Sequence, residues 1–212
     1  NDLIELSKFG GILVGTPSLQ FMGNNYHVAV TIRSGGDFPT YKLVYLYKSG
    51  ANNTSCVSAG SLYQCDVIEE STSPQVIGTP SLSLTPGGIV GIAYSKGDEV
   101  KFAYPHIDSI SWRSNCGPGS PQTWRCISIQ TGSATGTLGQ EPKFDFGATS
   151  SEAGIVYTYD DTLIENTLFH ADYVGSGGNC GSDKTSIGTT AFKWKCTDVD
   201  QFTYLPFNPS FS

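Results

Sequence analysis

Four kinds of residue in this chain stand where they could do chemistry: paired carboxylates, histidines, arginines, and an aromatic that recurs two residues before a cysteine. The carboxylate pairs are Glu69/Glu70, Asp98/Glu99 and Asp160/Asp161, and two carboxyl groups are the working parts of glycoside hydrolysis, one as acid and one as base or nucleophile. Each pair sits at a strand end or turn, where solvated charge is the simpler reading, so no catalytic residue is assigned. An arginine cluster that could grip a substrate carboxylate would need more than Arg33, Arg113 and Arg125, the last two of which flank a single cysteine loop. His27, His106 and His170 share no repeating offset, which argues against a common metal site. Calcium is the one ion with oxygen donors to draw on, because Asp37, Asp98 and Asp160/Asp161 fall in comparable connections; their spacing is not that of a calcium loop, and turn formation explains them equally well. No cofactor is therefore expected.

The aromatics are Tyr63, Trp124 and Trp194, each two positions before the second cysteine of a close pair. A ring with an apolar face and polar edges is the usual platform for stacking a sugar, and these three are candidate ligand-binding residues. The competing reading is that they pack between layers or shield a disulfide. Trp112, in the polar stretch from Pro105 to Cys116 and followed by Arg113 and Asn115, is a fourth candidate contact residue. The cysteines fall as Cys56 and Cys65, Cys116 and Cys126, Cys180 and Cys196, with none of the short gaps or neighbouring histidines of a zinc site. Three local disulfides are expected, and with them an extracellular, secreted or periplasmic setting. Overlapping sequons at Asn52 and Asn53 permit N-glycosylation.

What must position these residues follows from composition and repetition. The 212 residues include 25 Gly and 11 Pro, a load of turn formers that excludes a helical bundle, while 38% hydrophobic and 12% aromatic residues suffice for a core. A net charge of −7 repels phosphate backbones and anionic surfaces, so no nucleic-acid partner is expected. No apolar run reaches the roughly 18 residues of a membrane span, so no membrane insertion is expected. The chain opens at Asn1 with neither Met nor a signal peptide, and is expected to be a processed or excised product.

A punctuation signal recurs around Pro17, Pro80, Pro142 and Pro209, at intervals of 63, 62 and 67 residues. Behind each of the first three prolines come the same β-rich segments. After the Pro-Ser-Leu piece, here termed A, segment B is His27 to Ile32, Val90 to Tyr94 and Gly154 to Tyr159. Segment C is Tyr41 to Tyr47, Val100 to Tyr104 and Thr167 to Ala171, and segment D is Leu62 to Ile68, Thr123 to Ile129 and Lys193 to Val199. Pro at the first position of strand A costs no ladder bond. The first cysteine of each pair lies in the C-to-D connection and the second on D.

This repeat resembles that of secreted multi-bladed β-propeller proteins, on the strength of Pro80 to Leu84, the Ile92-Ala93-Tyr94 strand, Lys101 to Ala103 and the Trp-x-Cys strand Trp124 to Cys126. The resemblance implies an all-β propeller with three complete four-stranded blades at 12–75, 76–136 and 137–204. A trailing D strand of a preceding blade would lie at 1–11 and a leading A strand at 205–212, the whole being part of a larger propeller. It is uninformative about activity, since propellers host many. The expected function is a non-enzymatic extracellular binding or structural module presenting loops to a glycan or protein. The alternatives are a homotypic assembly subunit that completes blades between copies, and a fragment of a propeller glycoside hydrolase.

Overall fold

The structure is a computed structural model and describes residues 10–48, 63–106, 115–117, 123–132, 136–138, 141–148, 152–161, 166–184 and 190–202. Among these there is no helix. The first sheet joins β1 (Ile12–Met22), β2 (Asn25–Ser34), β3 (Thr40–Lys48) and β4 (Tyr63–Thr72) in sequence order, every pair antiparallel. The second does the same with β5 (Ser81–Leu84), β6 (Val90–Lys96), β7 (Glu99–Pro105) and β8 (Trp124–Thr131). The third runs β10 (Lys143–Phe146), β11 (Ala153–Asp161), β12 (Asn166–Tyr173), β14 (Thr190–Phe202) and β13 (Cys180–Lys184), with β9 (Gly136–Leu138) also on β11. Each sheet thus carries segments A to D of one repeat as an up-and-down meander. The three sheets do not form a closed ring among the described residues. Residues 1–9 and 203–212, which hold most of the expected flanking strands, lie outside them.

Strand A differs from its expected form. It begins ahead of the proline and is broken there. In β1 the ladder pairs Leu13 with Ile32, skips between Val14 and Ser18, and resumes at Ser18 with Ala29. In the third repeat the same two pieces are separate strands, β9 pairing Leu138 with Tyr159 and β10 pairing Lys143 with Val156. In the second, the first piece shrinks to one bridge from Ile77 to Lys96. Pro17 therefore sits inside an irregular stretch of a longer strand, where its missing N–H breaks no bond.

The sheets stack A strand beside A strand in parallel alignment. Ser18 Oγ accepts the Leu82 N–H at 2.9 Å, and Ser81 Oγ accepts the Phe144 N–H at 2.9 Å. These are one interaction repeated: a serine one residue after its proline takes the amide two residues after the next proline. Ser83 adds a second bond at the later junction, accepting from the Phe146 N–H at 3.2 Å. Gly15, at φ +67, lies so close to Thr79 that a Cβ would collide with its side chain.

Ladder registers make positions in successive sheets directly comparable. Ala29 and Ala93 face Tyr45 and Phe102, while Leu46, Ala103 and Ala171 face Cys65, Cys126 and Cys196. One face of the first sheet, with Ala29, Leu43 and Tyr45, buries against Ile92, Tyr94 and Trp124 of the second. The opposite face of the second, with Ala93, Val100 and Phe102, buries against Ile155, Tyr157 and Trp194 of the third. The core among the described residues is thus two slabs between three sheets plus a third buried cluster of Val28, Val30, Ile32, Val44 and Leu46 on the opposite face of the first sheet, fed by strands apolar on both faces.

Candidate functional site

Two disulfides are in place, Cys116–Cys126 and Cys180–Cys196. Such pairs suit an oxidising environment. Cys65 is disulfide-bonded, and its expected partner Cys56 lies outside the described residues, as do Trp112, Asn52 and Asn53. Each described bridge folds the C-to-D connection onto the outer edge of strand D. Cys116 pairs with Trp124 as an isolated bridge, and Cys180 pairs with Trp194 at the start of β13. A preceding asparagine completes the clasp: Asn115 Oδ1 accepts the Cys126 N–H at 2.7 Å while Asn115 Nδ2 donates to the Cys126 carbonyl at 2.8 Å. Asn179 makes the same two bonds to Cys196 at 2.7 and 3.0 Å.

The three aromatics proposed as sugar platforms stand inside the molecule. Trp124 is 1% exposed and Trp194 0%, and Tyr63 is also buried. Trp124 meets Tyr45 of the preceding sheet edge-on at 5.3 Å, and Trp194 meets Phe102 at 5.2 Å. A Cβ on Gly117 or Gly181 would strike the corresponding indole ring, so each tryptophan is sandwiched between a glycine and an aromatic of the neighbouring sheet. With both faces covered they hold sheets together and present no open face to a ligand. Trp124 Nε1 donates to Asp66 Oδ2 at 3.0 Å. Trp194 Nε1 has no such acceptor, because Ile127 stands in the second sheet where Asp66 stands in the first.

Of the other chemical candidates, Glu69 lies between the first two sheets, accepting from Lys96 Nζ at 2.6 Å, Lys101 Nζ at 2.7 Å and the Tyr94 hydroxyl. Burial works to raise its pKa, but Lys101, by charge and hydrogen bond, with the Lys96 and Tyr94 bonds, holds it below the ordinary value. Its neighbour Glu70 reaches only Lys42, at 3.3 Å on the surface. Asp37, Asp98 and Asp160/Asp161 stay in or beside the B-to-C connections of separate sheets, and among the described residues no three metal-ligating side chains are grouped. Arg125 is buried and Arg33 is partly exposed on β2, while Arg113 lies outside the described residues.

What the fold does bring together is one end of the stack. In an up-and-down sheet the A-to-B and C-to-D connections leave from the same end, and the parallel alignment of β1, β5 and β10 puts that end on the same side of all three sheets. There Phe21 (61% exposed) and Tyr26 (38%) meet edge-on at 5.1 Å across the first A-to-B turn, next to the half-exposed Met22. Behind them His27 shares a 2.5 Å hydrogen bond with the Tyr45 hydroxyl and stacks on Tyr45 and Tyr47. Burial lowers the His27 pKa and raises that of Tyr45, so both groups are neutral around pH 7.

On the third sheet the same end opens into a cavity of about 440 Å³ lined by Asp145, Phe146, Glu152, Ala153, Asp172 and Tyr173. Asp145 Oδ1 is held by the Ser83 hydroxyl at 2.7 Å, and Asp172 Oδ1 by His170 Nε2 at 3.3 Å. Tyr173 is braced edge-on against Trp194 at 5.5 Å. Two ring walls and three carboxylates offer apolar faces for stacking together with acceptors for hydroxyl or amine groups. Sequence reasoning passed over these residues because none recurs in all three repeats. The Asn-Cys-Gly triplets at 115–117 and 179–181 were the visible sign of the clasp. No protein-family model, curated protein or solved structure matches this chain.

Proposed function

We propose that the chain is a propeller-type array of blades that serves as a secreted binding module, recognising a glycan through the end of the stack where the A-to-B and C-to-D connections gather. The observation that carries the reading is the contrast between frame and end. The frame repeats its stitches, sockets and clasps from sheet to sheet, whereas the connections that leave from this end differ in length and sequence. That is the arrangement of a rigid scaffold presenting variable recognition loops. The Tyr173 ring beside carboxylates at Glu152 and Asp172 suits a polyhydroxylated ligand, and Phe21 and Tyr26 expose further rings at the corresponding end of the first sheet. Protein ligands are the second class such an end would take.

The test is binding of the disulfide-intact chain to glycan and extracellular-protein arrays, followed by Glu152→Gln and Asp172→Asn. Both carboxylates are exposed, so their loss leaves the sheets intact. The expected result is glycan binding that weakens by about tenfold or more in each variant with an unchanged melting temperature. Binding to neither array, or glycan binding indifferent to both substitutions, would contradict the reading.

A further inference from the structure

One position of every sheet is built to take a ring. Gln20, Ser83 and Asp145 each stand three residues after Pro17, Pro80 and Pro142, and their ladder partners on strand B are His27, Gly91 and Gly154. In the first sheet the His27 imidazole itself fills the place, lying over Tyr47 with the two planes 9° apart. In the second, a Cβ on Gly91 would stand 2.6 Å from the Phe144 ring and 2.8 Å from the Phe146 ring, so glycine admits two rings of the third sheet. In the third, Gly154 forms a wall of the cavity of about 440 Å³.

What surrounds this third place differs in charge. Asp145 stands where the other sheets have Gln20 and Ser83, and Asp172, facing Gly154, stands where Tyr47 faces His27. Glu152 joins them from the A-to-B connection, so three carboxylates share the cavity with Phe146 and Tyr173 and with no lysine, arginine or histidine. Asp145 takes a neutral donor, the Ser83 hydroxyl. Two basic side chains stand at Asp172, His170 at 3.3 Å and Lys195 opposite it on β14, and neither lines the cavity.

A ring-sized place walled by carboxylates selects a ring that carries positive charge. We propose that the cavity binds an amino sugar with a free ammonium group, its pyranose lying against Tyr173 and its ammonium donating to Glu152 and Asp172. This rests on the glycan-binding reading and narrows its ligand class, because an N-acetylated or acidic sugar brings no cation to offset the three carboxylates.

Titration calorimetry on the disulfide-intact chain tests the proposal with an oligomer of glucosamine and its fully N-acetylated counterpart, at a mildly acidic pH where the amines are charged. The free amine is expected to bind about tenfold or more tighter, the effect of one charge-assisted hydrogen bond, and the preference to shrink as salt is raised. Glu152→Gln and Asp172→Asn are each expected to reduce that ratio, while Glu70→Gln, on the surface of the first sheet, leaves it unchanged. Spermidine, a linear polyamine with no ring to lie on Tyr173, is expected not to displace the sugar at equal concentration. Equal affinity for the two oligomers would overturn the amine assignment and leave the glycan-binding reading standing, whereas binding to neither would overturn both. A preference that survives both cavity substitutions, or displacement by spermidine, would trace the attraction to the chain's net charge of −7 instead of this cavity and would also overturn it.

Discussion

Glu69 and Gln130 occupy the same place in successive sheets, opposite Leu43 and Val100, and each receives the hydroxyl of an equivalent buried tyrosine, Tyr94 or Tyr157. The partners around them differ as a set. Lys101 lies over the Tyr94 ring at 5.9 Å, whereas its counterpart Phe169 stacks on Tyr157 at 5.6 Å. One junction is ionic and the other neutral. Replacing Glu69 alone leaves two largely covered ammonium groups without their carboxylate, so Glu69→Gln is expected to cost about 2 kcal/mol in urea unfolding. Adding Lys101→Phe, which copies the second junction, is expected to recover part of that loss in a double-mutant cycle; strict additivity would show that the positions are not coupled.

The acid response has a definite sign. Glu69 is held below its ordinary value of 4.5 in the folded chain, so its contribution is complete above that pH and fades as pH falls through the folded value. Glu69→Gln should flatten stability against pH below about 4.5, where the native chain declines. Equal acid slopes in the two proteins would remove Glu69 from the explanation. At Trp124, Asp66→Leu is expected to cost about 1 kcal/mol by orphaning an indole N–H that is now paired, reproducing the state of Trp194. Urea unfolding followed by tryptophan fluorescence reads that change.

At the scale of the element, strands B, C and D could be read from β-branched and aromatic runs between turn residues, because those runs are apolar on both faces and short. Strand A could be read only in part. Its Pro-Ser-Leu core is visible, but the piece ahead of the proline, carrying Leu13, Ile77 or Leu138, is hidden by the break that the proline causes. The tryptophans were legible as a recurring feature and ambiguous in role, since a ring beside a disulfide looks the same in sequence whether its face meets water or a neighbouring sheet. The deciding residue was the glycine after the first cysteine: Gly117 and Gly181 accompany Trp124 and Trp194, while the first repeat has Val57 with the smaller Tyr63. Gly117→Ala is accordingly expected to destabilise the second sheet more than the same change at the open Gly36, by thermal melting. Removing the clasp with Cys116→Ser and Cys126→Ser is expected to cost about 3 kcal/mol, from the loop entropy restored to the unfolded chain. A melting temperature unmoved by the double change would mean that Asn115 and the strand bridge hold the loop by themselves.

For the whole molecule, the two ends of the stack are not alike. The third sheet carries His170 and Asp172 where the first carries Tyr45 and Tyr47 and the second Phe102 and Tyr104, so the aromatic socket that receives a tryptophan at the other junctions is replaced there by a polar His–Asp contact at the surface. The proposed recognition end escaped the sequence because Phe21, Tyr26, Glu152 and Tyr173 come from different repeats and non-equivalent positions, and only the alignment of the sheets places them on one side. That alignment is the central claim. Its most direct measurement is an aromatic-resolved nuclear Overhauser spectrum of the native chain. Cross-peaks are predicted between Trp124 and Tyr45 and between Trp194 and Phe102, whose rings lie 5.3 and 5.2 Å apart across successive sheets. Tryptophan rings with cross-peaks only to residues of their own sheet would contradict it.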